Sequence, residues 1–123
     1  MTYLAISIGA VLGANARFLL GRFVAERLGV AFPYGTLIIN VSGSFLIGLV
    51  LALVAERMVG PWWVRPALAI GFLGSYTTFS TFSYETLQLV DNGSLLAAGA
   101  NIAVSVTAAL IAVYLGTLLG RAL

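Results

Sequence analysis

Residues 71–83 read Gly71-Phe72-Leu73-Gly74-Ser75-Tyr76-Thr77-Thr78-Phe79-Ser80-Thr81-Phe82-Ser83. Two glycines followed by Ser, Thr and Thr make a poor helix interior. Yet the stretch lies near the middle of an otherwise apolar run from about Trp62 to Val90. Two conformations suit it. The hydroxyls can bond back to the i−4 carbonyls and merely bend a helix. Or the helix breaks, which frees carbonyls on one side and N–H groups on the other. Membrane proteins use such breaks as ion sites, and lipid tolerates them only where protein or water covers them.

The composition of the whole chain supports a membrane setting. Hydrophobic residues make up 61% of the 123 positions and charged residues 8%. Soluble domains run near 45–50% and about 25%, and the mean hydropathy is +1.08. A water-soluble globule of this size has too little interior to hide that much apolar surface. An ordinary cytoplasmic domain, a disordered chain and a free-standing nucleic-acid binder are excluded. With no Cys, no His and no Lys, the usual thiolate, imidazole and metal-ligand chemistries are absent. The six basic residues are all Arg and sit mostly at segment ends. No catalytic constellation is visible, so the chain is not read as an enzyme.

Four apolar segments emerge, about residues 3–23, 34–55, 62–90 and 95–119, in a single domain covering 1–123. Arg22, Glu26, Arg27, Gly29 and Pro33 close the first, whose opening stretch reads as a span rather than a cleavable leader. Glu56, Arg57 and Gly60-Pro61 close the second, and Trp62 and Trp63 suit a headgroup boundary. Asp91-Asn92-Gly93-Ser94 is a turn cluster. The runs are too long for barrel strands and lack period-2 alternation. The expected fold is therefore an all-α membrane protein of four transmembrane helices, the third broken near its middle.

With four spans, one side collects Arg57, Arg65 and Arg121 and the other Arg22, Arg27 and, if it reaches the interface, Arg17. The positive-inside rule needs an excess on one side, and there is almost none. Either the chain inserts both ways up and pairs with an inverted copy, or one loop dominates and fixes a single orientation.

Gly9, Gly13, Arg17 and Gly21 share one helical face, and small residues there permit close helix approach. Arg17 either snorkels or biases a water-filled entrance. Asn40, Ser44 and Gly48 stack at the same spacing. Asn40 is either interhelical glue or an amide donor facing a conduit. Phe79 and Phe82 are neighbours three apart, with Ser80, Thr81 and Ser83 interleaved. Such a pair is usually packing. Ring edges are positive, however, and with hydroxyl hydrogens they can hold a small anion without a fixed charge that would bind it too tightly for conduction. Asn101 and Ser105 form a polar i, i+4 pair on the fourth segment, with Gly116 and Gly120 beyond. Glu85 is the one candidate intramembrane acid, and it sits about five residues from the end of its segment.

These motifs resemble the Fluc family of fluoride channels, also called the CrcB family, over essentially the whole chain. The resemblance rests on Gly9, Gly13, Ala14 and Arg17; on Gly35, Thr36, Leu37, Asn40, Gly43, Ser44 and Phe45; and on GFLGSYTTFSTFSYE from Gly71 to Glu85. Asn101 and Ser105 also fit, while Ala109 stands where the family often has Gly. The resemblance implies an antiparallel, dual-topology homodimer with two fluoride pathways. It implies that Phe79 and Phe82 face the ions, with Asn40, Ser80, Thr81, Ser83 and Ser105 as pathway groups. It further implies a structural Na⁺ at the dimer two-fold, held by the carbonyls of Gly74 and Thr77. Arg17 and Glu85 are left as vestibule or structural residues. The implied function is passive, potential-driven fluoride export that protects a prokaryotic cell from fluoride, at its plasma membrane. Two other functions compete: a small dual-topology proton-coupled multidrug exporter, and a non-transporting assembly subunit. The exporter needs an embedded carboxylate in the first helix, where Arg17 stands instead.

Overall fold

The computed structural model describes all residues, 1–123, and is entirely helical apart from short connections. Helix α1 spans Thr2–Leu28, and α2 spans Tyr34–Leu51 and continues as a π-helical turn over Ala52–Glu56. The third segment starts as a wide π-helix, Pro66–Leu73, tightens into the single α-turn α3, Gly74–Tyr76, and then stops. Helix α4 resumes at Phe79–Asp91, and α5 spans Leu95–Ala122. Pro66 opens its helix at a position where the missing N–H costs nothing. Gly29 and Gly93 end α1 and the α4–α5 turn at φ of 79° and 78°, a region glycine enters freely.

Three helices have the length and hydropathy to cross a membrane: Thr2–Leu28, Tyr34–Glu56 and Leu95–Ala122. The third segment is divided into two short pieces. Helix α1 runs beyond Phe23 to Leu28, and Arg22 and Glu26, one turn apart, pair on its exposed face at 2.8 Å.

Packing proceeds through glycine. A Cβ on Gly9 would strike the Ala67 carbonyl, and one on Gly13 the Phe72 carbonyl and the Ser75 hydroxyl. These contacts hold α1 on Pro66–Leu73. On the other side, Gly48 lies against the Val113 carbonyl and Gly116 against the Phe45 carbonyl, which brings α2 and α5 together. Lipid tails offer no hydrophobic drive between helices, so such close backbone approach supplies the attraction through dispersion. Ile39, Leu73 and Tyr76 form the small core. Only 20 of 123 residues are buried. Large apolar side chains such as Leu12, Phe18, Leu110 and Leu115 lie exposed, an outer surface suited to lipid rather than water.

Candidate functional site

The break falls at Thr77 and Thr78, both extended (φ −81°, ψ 155° and φ −151°, ψ 116°). Asn40, from α2, holds it. Its Nδ2 donates to the Thr78 carbonyl at 2.9 Å, and the Thr78 N–H donates to Asn40 Oδ1 at 2.8 Å. In an unbroken helix that N–H would close onto the Gly74 carbonyl. The Thr78 hydroxyl caps α4 by accepting from the Thr81 N–H at 3.2 Å, a donor that would otherwise serve the Thr77 carbonyl. Two side-chain substitutions in the ladder therefore leave the carbonyls of Gly74 and Thr77 without a backbone donor. The Asn40 amide is both glue and lining group: one of its two N–H donors remains after the Thr78 carbonyl is served.

The approach of α2 to the break depends on Gly43, where a Cβ would collide with the Thr77 side chain. Below the break, Tyr76 is anchored by its hydroxyl to Ser42 Oγ at 2.8 Å and stacks on Phe72 with ring centroids 5.8 Å apart. Ser75 donates to the Ala10 carbonyl of α1 at 2.9 Å.

Around the break lies a cavity of about 290 Å³. Its walls come from Asn40, Gly43, Ser44 and Ile47 on α2, Thr77 and Thr78 at the break, Phe79 and Phe82 on α4, and Ser105, Val106 and Ala109 on α5. None is ionisable. The rings of Phe79 and Phe82 are 5.6 Å apart and inclined at 45°. Phe79 is 78% exposed on the protomer, so its ring stands at the edge of the cavity and not within a packed interior.

The structure thus brings Asn40, Thr77, Phe79, Phe82 and Ser105 to one cavity. It does not bring Ser80, Thr81 or Ser83 there. Ser83 donates to the Phe79 carbonyl at 2.9 Å, and Thr81 Oγ1 accepts from the Thr78 hydroxyl at 2.9 Å. Gly74 also lies outside the lining and is exposed. Arg17 is half-buried without an ion-pair partner on the chain. Glu85 lines a second cavity of about 480 Å³ under the α1–α2 connection, with Thr36, Gln88 and Asn92. Its Oε2 is buried with no hydrogen-bond partner. Ser44 and Thr78 are lining residues that sequence reasoning did not single out for the pathway. The i, i+4 stacking of Ser44 on Asn40 was a usable signal for the first.

Fold and site together define a small all-helical membrane protein whose uncharged, partly aromatic crevice is built on a broken helix. Residues 4–117 match the family model described as CrcB-like protein, Camphor Resistance (CrcB). Three similar chains are named fluoride-specific ion channel FluC. The one from Solibacter usitatus is 48% identical over 98% of this chain and 99% of its own. That from Acidobacterium capsulatum is 46% identical over 98% and 97%, and that from Citrifermentans bemidjiense 46% over 100% and 98%. The chain belongs to the CrcB family.

Proposed function

We propose that this chain is a fluoride-selective channel giving passive, potential-driven fluoride export at a prokaryotic plasma membrane, with its four helical segments forming one transmembrane domain. The observation that carries the reading is the Asn40–Thr78 clamp beside the Phe79–Phe82 pair in a crevice free of charged side chains. Fluoride is small and strongly hydrated, and a pore must replace its water. Here the remaining Asn40 N–H, the Ser44 and Ser105 hydroxyls and the positive rims of two phenyl rings are the replacement. The absence of fixed charge keeps the anion mobile. Hydrogen fluoride crosses lipid neutral and dissociates inside. An inside-negative potential then drives the anion out by roughly 2.3 kcal/mol per 100 mV, so a passive pore is enough. The names of the full-length relatives agree with this reading.

The functional unit is an antiparallel homodimer of inverted copies. Near-equal arginine numbers at the two ends support it, as does the exposure of Phe79 and Gly74 on the protomer. The unclaimed carbonyls of Gly74 and Thr77 suit a hard cation, which prefers oxygen donors. Two from each chain would hold a structural Na⁺ at the two-fold, and its charge would join the two breaks. The exporter alternative is disfavoured because the one carboxylate of α1, Glu26, pairs with Arg22 at the helix end.

The test is fluoride efflux from proteoliposomes, read with a fluoride electrode against chloride efflux. Selective fluoride release under a potential, without a proton gradient, is expected. Flux that depends on the proton gradient, or none, would overturn the reading.

A further inference from the structure

Asn101 is 2% exposed, as buried as the core residue Leu73. It sits at the centre of a three-bond relay. Its Nδ2 donates to Thr86 Oγ1 at 2.9 Å, and the Thr86 hydroxyl donates to the Phe82 carbonyl at 2.7 Å. Its Oδ1 accepts from the Ser105 hydroxyl at 3.2 Å. We propose that Asn101 is a positioning residue of the anion pathway, which holds the hydroxyl hydrogen of Ser105 until an anion takes it and at the same time ties the Phe82 turn of α4 to α5. This rests on the channel reading above.

The hydrogen count carries the argument. A serine hydroxyl has one hydrogen, and that of Ser105 is spent on Asn101. Towards the cavity Ser105 therefore presents lone pairs, which repel an anion. Rotation of the hydroxyl reverses this at the expense of the longest bond in the relay. Asn101 keeps its orientation meanwhile, because its Nδ2 stays on Thr86, whose own hydrogen is fixed on the Phe82 carbonyl. Without the Thr86 hydroxyl the amide has no anchor, and both the resting place of the Ser105 hydrogen and the Phe82 turn are loosened.

The test is unitary fluoride current against fluoride concentration in planar bilayers, for purified dimers of wild type, Thr86→Val, Thr86→Ser, Ser105→Ala and the Thr86→Val/Ser105→Ala double variant. Thr86→Val removes two part-buried hydrogen bonds, the one from Asn101 Nδ2 and the one to the Phe82 carbonyl, and a rise in half-saturating fluoride of at least about fivefold is expected. Thr86→Ser, which keeps the hydroxyl, is expected within about twofold of wild type. Thr86 and Ser105 both bond Asn101, so the loss in the double variant should fall short of the sum of the two single losses. Should Thr86→Val not purify as a dimer, Thr86→Ala is read against Thr86→Ser in the same way. Wild-type half-saturation in Thr86→Val, equal loss in Thr86→Ser, or additive effects in the double variant would overturn the inference alone. No current in wild type would overturn the channel reading and this inference with it.

Discussion

Asn40 and Thr78 exchange two hydrogen bonds, amide to carbonyl and N–H to amide oxygen, across 38 residues of sequence. One side chain thereby substitutes for the helical ladder at the point where the ladder stops. The backbone groups of Thr78 are paired by that side chain, and the carbonyls of Gly74 and Thr77 are left without a backbone donor. The break is thus a specified structure and not a local weakness.

Asn40→Asp removes the donor to the Thr78 carbonyl, sets oxygen against oxygen and adds a negative charge beside the pathway. Fluoride efflux should fall by at least about tenfold, since a hydrogen bond left unmade in a buried site costs on the order of 1–3 kcal/mol. Proteoliposome efflux, with size-exclusion chromatography as the check on assembly, measures it. Unchanged flux would remove Asn40 from the pathway.

Phe79→Ile and Phe82→Ile keep apolar volume and remove the ring edge. Each should cut fluoride efflux while the dimer still purifies. Wild-type flux in both would exclude an aromatic pathway.

Close packing should separate two glycines of the same helix. A Cβ on Gly116 would strike the Phe45 carbonyl, whereas Gly99 has nothing within 4 Å. Gly116→Ala is expected to destabilise by about 1–3 kcal/mol through overpacking, and Gly99→Ala to stabilise by up to about 1 kcal/mol through helix propensity. Thermal unfolding in detergent distinguishes them.

Exchange of Na⁺ for a much larger monovalent cation should loosen the dimer if the Gly74 and Thr77 carbonyls hold the smaller ion. Cross-linking yield and efflux after prolonged exchange should fall together. Indifference of both would leave those carbonyls without a cation.

Much of this was legible in the residues. Composition required a membrane, and Gly74-Ser75 followed by Thr77-Thr78 marked the third segment as a place where a helix fails. What stayed hidden was the position of the break. It is fixed by a partner on another helix, and no local propensity reports that. The helical phase after the break was equally out of reach. Counting from Phe79 puts Phe82 near the cavity and turns Ser80, Thr81 and Ser83 elsewhere, but only a known start makes the count possible. Arg22 and Glu26 have the composition of a segment boundary, yet they form an i, i+4 pair within α1, which runs to Leu28.

The divided third segment also constrains how the chain is made. Neither half alone has the length of a conventional membrane-inserted helix, so the pair is a poor substrate for insertion by hydrophobicity alone. Asn40 precedes Thr78 in the order of synthesis. When the threonines are added, the residue whose amide pairs them in the folded chain has already been made, so α2 precedes the segment it clamps.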